Sequence, residues 1–104
     1  MQTNTLDIAQ MQAQANKAAD LLKAMSNEHR LLILCHLGQQ EMSVGQLNAC
    51  INLSQSSLSQ HLARLRKDGL VTTRRESQTI YYSISDEVVM KLITLLHEEY
   101  CQRP

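Results

Sequence analysis

The chain has 104 residues, 43 % of them hydrophobic, and its ten basic and ten acidic residues give a formal net charge of zero. That is room for one domain, residues 1–104, with a core small enough to gain from a partner chain. Three tyrosines, one proline and three glycines exclude a base-stacking platform for single strands and a linker-rich chain.

In chain order, residues 1–5 look frayed and disordered. From Leu6 to Met25 the run is rich in Ala, Gln, Leu and Met, good helix formers. Ile8, Met11, Ala15, Ala18, Leu22 and Met25 recur at helical spacing and predict an amphipathic first helix. Ser26 and Asn27 offer a cap for a second helix from about Glu28 to Leu37, with Gly38 as its C-terminal stop. Leu31 to Cys35 is apolar almost all round, which predicts a buried central helix. That run is also the longest strongly apolar stretch, far short of the ~20 residues a membrane helix needs. No basic start followed by an apolar stretch opens the sequence, so a cytoplasmic chain is expected.

Ser43 and Gln46 stand at capping-box spacing and start a short third helix ending near Cys50. Asn52 suits a turn. Ser54 can cap a fourth helix running to Lys67 or Asp68 before Gly69, with Leu58, Leu62 and Leu65 as its inward stripe. Leu70–Arg74 and Thr79–Ile84, separated by the polar tip Glu76-Ser77-Gln78, predict a β-hairpin. Asp86 can cap a last helix with Val89, Leu92, Ile93 and Leu96 inward. The order α-α-α-α-β-β-α is that of a mainly α winged helix-turn-helix with a hairpin wing.

Charge is unevenly spread. Between Ser54 and Arg75 the cations Arg64, Arg66, Lys67, Arg74 and Arg75 face only Asp68, and local field rather than total charge attracts phosphate. Stepping the fourth helix at 100° per residue puts Ser56, Gln60, Ala63, Arg64 and Lys67 opposite the leucine stripe. Amide and hydroxyl groups at the N-terminal end and cations at the C-terminal end suit a major-groove helix. On its own the same face reads equally well as a solvated surface. Arg74 and Arg75 precede the hairpin tip, where a wing meets flanking phosphates, though edge-strand protection also explains them.

Three blocks carry a resemblance over nearly the whole chain: Leu22–Leu31 (LKAMSNEHRL), Leu53–Leu62 (LSQSSLSQHL), and Leu70-Val71 with Tyr81-Tyr82. They resemble the ArsR/SmtB family of bacterial regulators. The resemblance implies a winged homodimer, with the first and last helices forming the dimer interface, bound to an imperfect inverted repeat of double-stranded DNA. It implies base and backbone contacts from Gln55, Ser56, Ser57, Ser59, Gln60 and His61. The helical wheel adds Arg64 and Lys67, and the hairpin adds Arg74, Arg75 and Gln78. Ser77 stands where the family usually has glycine and Gln78 where it usually has arginine, so this wing is less basic.

Many relatives sense metals, but Ser43-Val44-Gly45 has no thiolate where the family's soft-metal site needs two cysteines. At the last helix Asp86 and His97 are present while Val88 and Tyr100 stand at the other two ligand positions, so no tetrahedral zinc site closes. No resident metal or cofactor is expected, and no catalytic set or phosphate-binding glycine loop marks an enzyme. Cys35, Cys50 and Cys101 are an odd number, against a disulfide framework; read without the family, they are ordinary packing thiols. Leu34-Cys35 with Tyr100-Cys101-Gln102 resembles a subgroup that contains sulfide- and persulfide-responsive repressors and a haemolysin regulator, the better match. The resemblance implies a switch in which oxidation or persulfidation bridges Cys35 and Cys101 and releases DNA. Cys101, near a chain end, is expected to react first and Cys35 to resolve. Cys50 reads as packing, and His29 and His36 as surface or packing residues. The resemblance leaves open direct repression or activation of virulence genes by displacing a silencer. A metal-responsive repressor using Cys35, His97 and Cys101 is the alternative signal.

Overall fold

The computed structural model describes residues 6–101, so the expectation for residues 1–5 lies outside the described residues. Helix α1 spans Ile8–Met25, capped by the Asp7 carboxylate, which accepts from the Gln10 N–H. Helix α2, Glu28–Leu37, starts at Asn27, whose side-chain oxygen accepts from the His29 and Arg30 N–H groups. Strand β1 is Met42–Ser43, and α3, Val44–Cys50, carries the full capping box between Ser43 and Gln46. Helix α4 is Gln55–Lys67, strands β2 and β3 are Val71–Glu76 and Thr79–Ile84, and α5 is Glu87–Tyr100 behind the Asp86 cap.

The chain is thus a five-helix winged helix-turn-helix of the expected element order. The sheet has one strand more than expected: it is antiparallel with order β1-β3-β2, Met42 opposite Tyr82 and Arg74 opposite Tyr81. Two residues are too few for an alternating pattern to show in sequence. Met42 is nevertheless buried, which ties the entrance of α3 to the root of the wing.

Ile33, Leu34 and Leu37 of α2 lie at the centre, against Leu47 of α3, the α4 stripe Leu58, Leu62 and Leu65, Leu70 and Val71 at the start of the hairpin, and Val89 and Ile93 of α5. Two expectations need correcting. Helix α2 is not buried all round, because Leu32 is exposed and Leu31 and Cys35 are half-buried. Gly38 does not end α2 in a left-handed cap; its φ is −67°. An added Cβ there would crowd the Leu34 carbonyl oxygen at 3.3 Å and meet Ile93 Cγ2 of α5 only at an ordinary contact distance of 3.7 Å.

Of the expected stripe of α1 only Met25 is buried, with Ala24 beside it, while Ile8, Met11 and Leu22 stay exposed. Val88, Met90, Leu95 and Tyr100 of α5 are exposed as well. Among the described residues no helix is long and apolar enough to cross a membrane.

Candidate nucleic-acid interface and thiol pair

Helix α4 is fixed at both ends by its own residues. The Ser54 hydroxyl accepts from the Ser57 N–H at 3.1 Å, satisfying one of the open donors of the first turn. At the other end Gly69 takes φ +82°, its N–H donates to Arg66 O, and the Leu70 N–H reaches back to Leu65 O at 2.9 Å. This is a Schellman motif, with buried Leu65 and Leu70 as its hydrophobic contact. It aims the chain from α4 directly into β2. The turn between α3 and α4 is held by Asn48, whose side-chain amide donates to Leu53 O at 2.8 Å.

With the leucine stripe buried, Gln55, Ser56, Ser59, Gln60, Arg64 and Lys67 are exposed on α4, and Ser57 is half-buried. His61 lies differently from its neighbours. It is half-buried and its ring packs 5.8 Å from that of His29 in α2. Burial first, then the charges of Arg30 and His29, holds its pKa below the ordinary value of 6.5. His29 Nδ1 is buried with no hydrogen-bond partner among the described residues. Arg30 itself is spent on the end of α1, its Nε donating to Ala24 O at 2.6 Å. Arg64 donates from Nε to Asp68 at 2.8 Å, an exposed pair one turn apart.

The hairpin closes through Ser77 and Gln78, both exposed, with Ser77 at φ 59° in the left-handed region. Arg74 and Arg75 are neighbours in β2 and so face opposite sides of the sheet. Arg74 lies over the Tyr81 ring at 4.7 Å, grips Glu41 through Nε at 2.9 and 3.0 Å, and donates from Nη1 to Glu76 at 2.9 Å. These hydrogen bonds raise the Arg74 pKa and lower that of Glu41. The sequence alone gives Glu41 no role, and Tyr81 enters it only through the Tyr81-Tyr82 block of the family resemblance. Glu41 stands 33 positions from Arg74, beyond any local pattern.

Cys35 is half-buried and Cys101 exposed, as free thiols. Burial, and then the charge of Cys101, raises the Cys35 pKa, and α5 packs against α2. Cys50 is exposed, which corrects its reading as packing: it is the last residue of α3, where the helix surface turns to solvent. Among the described residues no three His, Cys, Asp or Glu side chains are grouped to hold a metal, so Cys35, His97 and Cys101 do not form a ligand set here.

A short helix leading into an exposed polar helix, then a hairpin, defines a winged helix-turn-helix DNA-binding protein. Residues 27–73 match the family described as bacterial regulatory protein, arsR family. The chain is 54 % identical over 97 residues to the transcriptional activator HlyU of Vibrio cholerae, covering 93 % of this chain and 90 % of that protein. It superposes on the structure of reduced HlyU from Vibrio cholerae with a TM-score of 0.85, at 56 % identity and covering 89 % and 98 % of the two chains. On the transcriptional repressor BigR from Xylella fastidiosa the TM-score is 0.86, at 36 % identity over 94 % and 100 %. The chain belongs to the ArsR family and is a DNA-binding transcriptional regulator, not an enzyme.

Proposed function

We propose that the chain binds an imperfect inverted repeat of double-stranded DNA as a homodimer, and that Cys35 and Cys101 form a thiol switch on its operator affinity. The exposed apolar residues of α1 and α5 support a dimer through those helices. Gln55, Ser56, Ser57, Ser59 and Gln60 line the start of α4, whose N-terminus adds partial positive charge toward phosphate. Lys67, Arg75 and Gln78 flank it, and Arg64 joins them by exchanging Asp68 for phosphate. His61, turned toward His29, supports the helix from behind.

The observation that carries the switch is the packing of α5 against α2, which brings together the elements that hold Cys101 and Cys35, although the two are far apart in the chain. With an organic persulfide as oxidant, the exposed Cys101 thiolate takes the outer sulfur and releases the organic thiol. The Cys35 thiolate then attacks the Cys101 sulfur and expels hydrogen sulfide. Two protein thiols and one persulfide thus become one disulfide, one organic thiol and one hydrogen sulfide. The raised pKa of Cys35 favours Cys101 as the first nucleophile. Bridging α2 to the end of α5 couples the thiols to the helix expected at the dimer interface. The same DNA contacts serve repression or activation by displacement of a silencer, and relatives described as an activator and as a repressor exist.

Fluorescence-anisotropy titration of DNA from the gene's own upstream region, against random DNA, tests both parts. Persulfide treatment is expected to weaken specific binding at least tenfold, ~1.4 kcal/mol, and Cys35→Ser to abolish the response. Equal specific binding in the reduced and treated arms would overturn the switch and leave the DNA-binding regulator standing.

A further inference from the structure

We propose that Arg74 is a positioning residue that sets the wing on the sheet, and that its neighbour Arg75 makes the wing's phosphate contact. This rests on the wing touching DNA in the bound dimer.

The sheet register separates the two arginines. Arg74 pairs across the strands with Tyr81, and Tyr81 with Ser43. Alternation along each strand therefore puts Glu41, Arg74, Glu76 and Tyr81 on one face. The other face carries Val71, Thr73, Tyr82 and Ile84, of which Val71, Tyr82 and Ile84 belong to or pack on the core. Arg75, opposite Ile80, continues that helix-facing side out toward the hairpin tip. It lies on the side of the sheet from which α4 is reached, and Arg74 lies on the far side.

The partners make the same division. Arg74 meets the Glu41 carboxylate with two nitrogens, reaches Glu76 with a third, and covers the Tyr81 ring. Its charge is outweighed by two carboxylates on the same face. Glu41 precedes β1, so the fork fastens the outer strand of the hairpin to the segment that leads into α3. A planar, bidentate and stacked guanidinium suits a fixed angle better than a mobile phosphate contact. Arg75 is exposed and, among the described residues, has no ion pair. Its charge is open to DNA.

The test is the salt dependence of DNA binding by the full, reduced chain, with operator and random DNA in parallel. Each phosphate contact contributes about 0.9 to the slope of log affinity against log salt. Arg75→Gln is expected to flatten that slope by about 1.8 for a dimer with one such contact per protomer, on both DNAs. Arg74→Gln should leave the slope unchanged and cost severalfold in preference for operator over random DNA. Arg74→Lys, which keeps the charge but loses the fork, should behave like Arg74→Gln. Glu41→Gln should do the same, and adding Arg74→Gln to it should change little further.

Flattening by Arg74→Gln that Arg74→Lys restores would overturn the assignment, as would a steeper slope in Glu41→Gln, the mark of a freed phosphate-binding arginine. A wild-type chain that binds DNA with an unchanged slope in Arg75→Gln would remove the wing contact itself. Thermal unfolding of each variant separates these results from loss of the fold.

Discussion

Helix α4 and the wing each contain one residue in the left-handed region of backbone space, and each meets the cost differently. At the exit of α4 it is Gly69, φ +82°, in a Schellman motif built from residues within one turn. At the wing tip it is Ser77, φ 59°, a side-chain-bearing residue in a two-residue loop. The helix is thus specified locally, by its own cap, stripe and stop. The wing depends on a remote partner, since its outer face is fastened by Glu41 to Arg74. Local elements keep their shape as a unit, whereas a remotely fastened element can change its angle without unfolding.

The largest effect expected from breaking this comparison is on the side of the helix. Leu62 is 1 % exposed, and Leu62→Ala should cost ~2–5 kcal/mol by removing buried methyl groups and leaving a cavity. Denaturant unfolding of reduced protein checks this, and a loss well under ~1 kcal/mol would mean that α4 is not anchored by its stripe. Next comes Gly69→Ala. An added Cβ at Gly69 meets nothing within 4 Å, so the cost is backbone strain alone, ~1–2 kcal/mol. A larger loss would show that the helix exit is sterically crowded.

The same division decides what can be read from the sequence. Ser54, Gly69 and the three-leucine spacing predict α4 to within a residue, because cap, stop and stripe are neighbours in the chain. The capping box of α3 and the Asp86 cap of α5 were legible for the same reason. Glu41 was silent, since nothing near it says that a guanidinium 33 positions away will take it. The charge count shows the consequence. Five cations against one carboxylate read as a basic patch, yet Arg64 is paired with Asp68 and Arg74 with Glu41 and Glu76. Among the described residues Arg66, Lys67 and Arg75 are left without ion pairs and carry the field. His61 differs from its neighbours in a way no local pattern shows: it shares a helix with the exposed residues but is half-buried, its ring 5.8 Å from that of His29 in α2.

A smaller effect, of opposite sign, is expected at the wing tip. Ser77→Gly relieves the left-handed strain but gives the unfolded chain more freedom, for a net gain of up to ~1 kcal/mol. Because the tip is local while the angle of the wing is set by Glu41 and Arg74, Ser77→Gly should leave the preference for operator over random DNA intact. Loss of that preference with a gain in stability would mean that strain at the tip, not the Glu41 fork, aims the wing.

The smallest effects are those of pH, and the two regions should respond in different windows. His61 has a folded pKa below 6.5. As pH falls through that value the unfolded chain takes up a proton that the folded chain refuses, so stability falls with acid. Glu41 has a folded pKa below 4.5 because Arg74 holds the ionised form. The unfolded chain again protonates first, so stability is lost in a second step that begins near pH 4.5. Glu41 is exposed and His61 only half-buried, so solvent screens both effects and each step is shallow. Denaturation midpoints across pH should show the first step vanish in His61→Gln and the second diminish in Arg74→Gln. If Arg74→Gln removed the upper step instead, the wing and the helix would be coupled, and the view of two independently held elements would fail.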